Sequence, residues 1–135
     1  MPERGDIMIA LTTGVIERTS APSIAPIEQP IDLGHLHRMT LGERSLEREV
    51  LQLFCRQTEI LIARMRTAKP AVAAASAHTL IGSARGIGAW RVAAAAELVE
   101  RAAASETRKL RGALAALIAT IDEAKVTIAD LLRAP

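Results

Sequence analysis

The sequence predicts an all-α protein, and three observations support that fold class. Half of the 135 residues are hydrophobic, yet aromatic residues make up only 1% and Tyr is absent. Ala and Leu, two of the strongest helix formers, dominate the apolar residues. Val, Ile and Thr never gather into the alternating run of a half-buried strand. We therefore expect an antiparallel four-helix bundle with a short additional N-terminal helix.

The N-terminal thirty residues differ in composition from the rest of the chain. They contain four of the six prolines, which disfavour helix in the residue before each of them. The stretch IMIALTTGVI lacks a small-residue cleavage site, and no apolar run reaches the length of a membrane span. We predict a flexible N-terminal tail over residues 1–30 and one helical bundle domain over residues 31–135.

Two helices are expected at the start of the domain. Asp32 is a candidate N-cap for a short helix over about residues 33–40. The next helix covers about residues 44–67, and its apolar residues, Leu53 among them, follow the spacing of a one-sided stripe.

Three more helices complete the predicted bundle. Pro70 suits the first turn of a helix that runs to about Ala84, and a further helix covers about residues 89–103. Ser105 is the expected cap of a last helix whose apolar residues repeat at spacings of four and three. Because the connections are short, neighbouring helices are expected to be antiparallel.

Charge and cysteine content exclude several classes of function. The formal net charge is +2, and Lys and Arg are interleaved with Glu and Asp, so no basic stripe or stacking platform for nucleic acid is present. A helix-turn-helix around Trp90 would need polar residues where the sequence has alanines. Cys55 is the single cysteine and is interpreted as a small apolar residue of a cytoplasmic protein. His35 and His37 lack further ligands at metal spacing, so no metal site is predicted.

The stretch AHTLIGSARGIGAW is the most informative part of the sequence. His78 follows the core position Ala77 and so lies about 100° around the helix from the apolar stripe. Gly82 weakens the helix by about 1 kcal/mol relative to Ala, which is consistent with close approach of another protein. The residues that share this face with the histidine are Ala74, Ile81, Gly82 and Arg85.

This stretch resembles the signature of histidine-containing phosphotransfer (HPt) domains, A-H-x-L-K-G-x-x-x-x-x-G. The following AAAAELVERAA is similar to the family's next helix, and the likeness extends loosely from about Ile31 to Leu132. One departure is Ile81, which stands where the family commonly has lysine; Arg85 is a candidate substitute for that cation. The matching residues are Ala77, His78, Leu80, Gly82 and Gly88.

The resemblance implies a phosphocarrier rather than an enzyme, and the sequence contains no Gly-rich nucleotide loop for ATP. His78 would accept a phosphoryl group, on Nε2, from the aspartyl phosphate of a receiver domain. The implied partners are receiver domains of a hybrid histidine kinase and of a response regulator, with Mg²⁺ held by the receiver. We expect the carrier to act as a monomer. Docking is expected at Ala74, Ile81, Gly82 and the helix over 44–67, with Arg85 at the rim.

Other interpretations remain open at this point. In one, His78 is a half-buried structural histidine. In another, the chain has the same fold but is not phosphorylated, and it acts as a helical adaptor that binds a signalling partner. Ile81 would be either a docking residue or an ordinary apolar residue of the helix surface. Three polar residues of the preceding helix are candidates for a docking rim, although solvated helix positions explain them equally well: Arg56, Gln57 and Arg64.

Overall fold

A computed structural model describes residues 29–67, 69–105 and 107–134, and most of the expected N-terminal tail lies outside these residues. The described residues form five α-helices and no strand, which confirms the predicted fold class. Within them, no helix combines the length and the hydropathy that crossing a membrane requires. The helices are α1 (Leu33–Met39), α2 (Arg44–Thr67), α3 (Pro70–Ile87), α4 (Trp90–Ala103) and α5 (Thr107–Arg133).

The four longer helices pack in a closed order around one hydrophobic core. α2 packs against α3, α3 against α4 and α4 against α5, while α5 also contacts α2. The short α1 packs against α3. Most of the core side chains come from the periodic positions of these helices, and the largest fully buried ones include Leu36, Leu51, Leu80, Leu117 and Ile128.

The buried stripe of α2 differs from the predicted one. Leu53 was expected in the core, but its side chain is 55% exposed. The core positions follow spacings of three and four in register with Phe54, and Leu53, one residue earlier, lies about 100° around the helix from them. The buried residues of α2 are Glu47, Leu51, Phe54, Thr58, Leu61 and Met65.

α3 contacts α1, α2 and α4, and its composition allows this. Small side chains on the helix let neighbouring backbones approach closely without leaving voids. The apolar residues spaced by four and three along this helix are buried: Ala73, Ala77, Leu80, Ala84 and Ile87.

The end of α3 is joined to the start of α1 by a compact contact. Asp32 caps α1 as predicted, because its Oδ1 accepts a hydrogen bond from the His35 backbone N–H at 3.2 Å. Its own backbone N–H donates to the Gly88 carbonyl at 2.9 Å, and the Trp90 indole N–H donates to its Oδ2 at 2.9 Å. Gly88 ends α3 with φ 79°, and a Cβ there would lie 2.9 Å from Asp32 Cβ and from its carbonyl oxygen. Only glycine fits this position without strain.

Two polar details concern the termini of the other helices. The Ser105 hydroxyl donates to the Ala102 carbonyl at 3.3 Å, at the end of α4, and its role as the cap of the last helix stays a prediction. α5 begins two residues later, at Thr107. At the opposite end, Arg44 donates to the Leu131 carbonyl at 2.8 Å, which ties the start of α2 to the last turn of α5.

Candidate functional site

His78 lies in the middle of α3 with its side chain 76% exposed. The preceding residue, Ala77, is fully buried, so the single step of about 100° along the helix carries the imidazole from the core to the surface. The structural alternative of a half-buried histidine is therefore wrong. The exposed ring is open to an approaching protein.

The orientation of the ring is defined by a carboxylate from the next helix. Nδ1 of His78 lies 3.1 Å from Oε2 of Glu100 on α4. An ionised carboxylate only accepts hydrogen bonds, so the pairing assigns the proton of the neutral imidazole to Nδ1. Nε2 then carries the free lone pair.

Arg85 is the cation on the same face of α3, two turns after His78. Its guanidinium is paired with the Glu97 carboxylate on α4, and the Arg85 side chain is 56% exposed. Glu97 lies one turn before Glu100 on α4, so the two carboxylates are neighbours on the side of α4 that contacts His78 and Arg85.

Ile81 does not belong to the exposed surface around His78. Its side chain is only 5% exposed and forms part of the hydrophobic core, so its predicted docking role is wrong. The reason is that α3 contacts three other helices, which widens its buried arc beyond a single stripe. The position at which the family commonly carries lysine therefore offers no charge to a group bound at His78.

The two small residues beside His78 are placed as the sequence indicated. Ala74 is half-buried one turn before the histidine, and Gly82 is exposed one turn after it. A Cβ at Gly82 would meet nothing within 4 Å. The backbone of α3 is therefore uncovered on one side of the imidazole.

A groove between α2 and α3 lies next to this face, with a volume of about 940 Å³. Its apolar surface includes Leu53, Ile60 and Val72, which are 55%, 55% and 45% exposed. The three polar candidates from α2 all line it, and so does Thr79, the neighbour of His78 in the chain. The complete lining is Leu53, Arg56, Gln57, Ile60, Leu61, Arg64, Ala71, Val72, Ala75, Ser76 and Thr79.

Three other potentially reactive side chains, Cys55, His35 and His37, lie on other helices. Burial raises the pKa of the half-buried Cys55 thiol, which keeps it protonated and unreactive. The ring of His35 contacts that of Trp90 with centroids 4.9 Å apart, and His37 Nδ1 lies 3.3 Å from a Glu47 carboxylate oxygen. Within the described ranges, no three His, Cys, Asp or Glu side chains are grouped as metal ligands.

Fold and site together define a helical protein that presents, in the middle of α3, an exposed histidine oriented by a carboxylate. The family model described as Hpt domain matches residues 49–132, which include all of α3 and α4. The chain therefore belongs to the Hpt domain family, the phosphocarrier domains of two-component phosphorelays. Neither a curated protein nor a solved structure matches it.

Proposed function

We propose that this protein carries a phosphoryl group on His78 between the aspartates of receiver domains in a multistep phosphorelay. The observation that carries the proposal is the exposed imidazole whose Nδ1 faces Glu100, since this leaves Nε2 as the nucleophile. Nε2 attacks the phosphorus of an aspartyl phosphate, a P–N bond forms, and the P–O bond to the aspartate breaks. The aspartate leaves as a carboxylate, and the reverse step delivers the group to a second receiver.

Glu100 supports this step through charge. When the Nε2 lone pair bonds to phosphorus, the ring becomes cationic while Nδ1 keeps its proton. The Glu100 carboxylate, at 3.1 Å from Nδ1, stabilises that cation as it develops. Because Glu100 is in place before the reaction, little reorganisation is needed. Mg²⁺ in the receiver supplies the charge stabilisation on the phosphoryl side.

The docking surface of this proposal combines the surroundings of His78 with the α2–α3 groove. Ala74 and Gly82 allow close approach, Arg85 lies at the rim, and Arg56 and Arg64 flank the apolar groove. A basic rim around an apolar surface suits a partner with an apolar patch and acidic neighbours. We assign the groove to receiver domains of a hybrid histidine kinase and of a response regulator.

Several finer features belong to the same proposal. The four longer helices form an antiparallel bundle, with α1 as the short additional helix. Residues 31–135 act as one domain after an N-terminal tail of residues 1–30. The protein works as a monomer in the cytoplasm, binds no nucleic acid, and uses no ATP site of its own.

The test is transfer from a receiver domain kept phosphorylated by a labelled small-molecule donor and Mg²⁺. We expect acid-labile, base-stable label on the wild type and none on His78→Gln. His37→Gln is the matched control, because His37 is also exposed, with 62% of its side chain accessible, but lies on α1. This control keeps its label. Equal label on the wild type and on His78→Gln would contradict the proposal.

One observation favours the alternative of a helical adaptor with the same fold. The buried Ile81 leaves the family's usual cation absent from the site. An adaptor binds receivers without accepting label, so the wild type would co-elute with a receiver and remain unlabelled. If the wild type stays unlabelled and His78→Gln binds the receiver as well as the wild type does, the protein is an adaptor.

A further inference from the structure

Phosphorylation of His78 would create a concentrated negative charge on this face. A phosphoryl group adds about −1.5 to −2 charges near neutral pH. The carboxylates of Glu97 and Glu100 already face α3 here, through their contacts with Arg85 and His78. Ile81 is uncharged and buried, so it cannot offset the new charge. A cation that does so must come from another residue on this surface.

Arg85 is positioned to reach the phosphoryl group. It lies seven residues after His78, a rise of roughly 10 Å along the helix axis. Side chains on a helix lean towards its N-terminus, so the Arg85 side chain leans towards His78. Gly82 stands between them, exposed and with nothing within 4 Å of a Cβ position. The path along the helix surface is therefore open.

The present partner of Arg85 is easily exchanged. The Arg85 and Glu97 side chains are 56% and 35% exposed, and ion pairs at such positions contribute little net stability. A guanidinium bound to phosphoryl oxygens makes two parallel charge-assisted hydrogen bonds to a more highly charged partner. The phosphoryl group is thus the stronger competitor for Arg85.

From these contacts we propose that Arg85 and Glu97 form an exchange pair. Arg85 binds Glu97 while His78 is unmodified, and it moves to the phosphoryl oxygens once Nε2 is phosphorylated. Glu97 competes for the same guanidinium and so lowers the equilibrium occupancy of phosphohistidine. This inference rests on the proposed phosphorylation of His78 and assigns to Glu97 the role of a positioning residue that acts through Arg85.

The test measures how label is divided at equilibrium between a phosphorylated receiver domain and the full-length chain. Arg85→Gln is expected to lower the fraction of label on His78 by a factor of about three to ten, and Arg85→Lys to restore part of it. Glu97→Gln is expected to raise that fraction, because Arg85 is then free. The matched control is Arg91→Gln, which removes a partly exposed α4 cation paired with Glu123 and leaves the division of label unchanged.

A double variant separates the exchange from simple repulsion. If Glu97 acts through Arg85, Glu97→Gln has no further effect in the Arg85→Gln background. An equal gain in both backgrounds would show that Glu97 repels the phosphoryl group directly, and the exchange would be wrong. It would also be wrong if Arg85→Gln behaved like Arg91→Gln. Label missing from the wild type would instead contradict the phosphocarrier function itself, so the two failures are distinguishable.

Discussion

The pairing of His78 with Glu100 shows what a local motif contains and what it omits. The apolar spacing and the HPt-like stretch predicted an exposed histidine at this position, and the structure places it there. Glu100 escaped notice because it lies 22 residues further along the chain, on another helix. Residues on different helices meet only when the rotation of both helices is known, and spacing alone does not define that rotation. The sequence signal was the presence of two glutamates, Glu97 and Glu100, in the helix that follows the histidine.

Glu100 provides a prediction at the residue scale. Glu100→Ala removes the acceptor that holds the proton on Nδ1, so we expect the initial rate of label transfer to His78 to fall roughly tenfold. Glu100→Gln keeps an acceptor oxygen without the charge and should lose less.

The measurement is the initial rate of transfer from a phosphorylated receiver, with thermal unfolding followed in parallel. Glu123→Ala, which removes an exposed carboxylate from α5, is the matched control and should transfer at the wild-type rate. Equal rates for Glu100→Ala and Glu123→Ala would show that Glu100 does not assist transfer.

At the scale of elements, helix positions were easier to predict than helix faces. The start of α2 at Arg44 and of α3 at Pro70 agree with the sequence, since prolines and apolar spacing mark them directly. Faces depend on how many neighbours a helix contacts. Ile81 was expected on the surface because one buried stripe was assumed, whereas α3 packs against three helices.

The contact between α1 and α3 gives a prediction with a defined pH dependence. Burial alone would raise the pKa of Asp32, but the hydrogen bonds from Trp90 and from the His35 backbone, with the nearby charges of His35 and Arg38, hold that pKa below its usual value. A lowered folded-state pKa means that the ionised carboxylate stabilises the fold above the unfolded-state pKa of about 4. This stabilisation is lost as the pH falls through the lower folded-state pKa.

We therefore expect Asp32→Ala to lower the free energy of unfolding by about 1–2 kcal/mol at pH 7, through the lost cap and the lost indole hydrogen bond. The difference from the wild type should narrow in acid, as the wild-type carboxyl becomes protonated. Denaturant unfolding at a series of pH values measures this. Asp122→Ala, an exposed aspartate on α5, is the comparison variant. A difference that is the same at every pH would contradict the role of the ionised carboxylate.

At the scale of the whole molecule, the closed order of four helices creates the α2–α3 groove. From the sequence, we expected α2 to contribute to docking and considered Arg56, Gln57 and Arg64 as candidates for its rim. All three line the groove. The sequence did not predict the groove, because that space depends on the separation and crossing of α2 and α3. Leu53 shows this most clearly: the sequence pattern predicted it in the core, but its side chain is exposed and lines the groove.

The groove prediction concerns receiver binding rather than chemistry. Ile60→Asp places a charge in the apolar groove, so we expect the dissociation constant for a receiver domain to rise about tenfold or more. Val126→Asp is the matched control, since Val126 is 65% exposed on α5 and lies outside the groove. Titration with an unphosphorylated receiver measures the dissociation constants of both variants. Equal dissociation constants for Ile60→Asp and Val126→Asp would place docking elsewhere on the molecule.

The contact between α1 and the end of α3, formed by Asp32, Gly88 and Trp90, also affects the intrinsic fluorescence of the protein. Trp90 is the single tryptophan of the chain, and its indole both donates to Asp32 and contacts the imidazole of His35. α1 lies outside the residues that match the family model, whereas Trp90 lies inside them. The intrinsic fluorescence of the protein therefore originates at the boundary between the family domain and the segment that precedes it. Displacement of α1 changes the polarity and quenching at one fluorophore, so the protein carries its own spectroscopic reporter of that event.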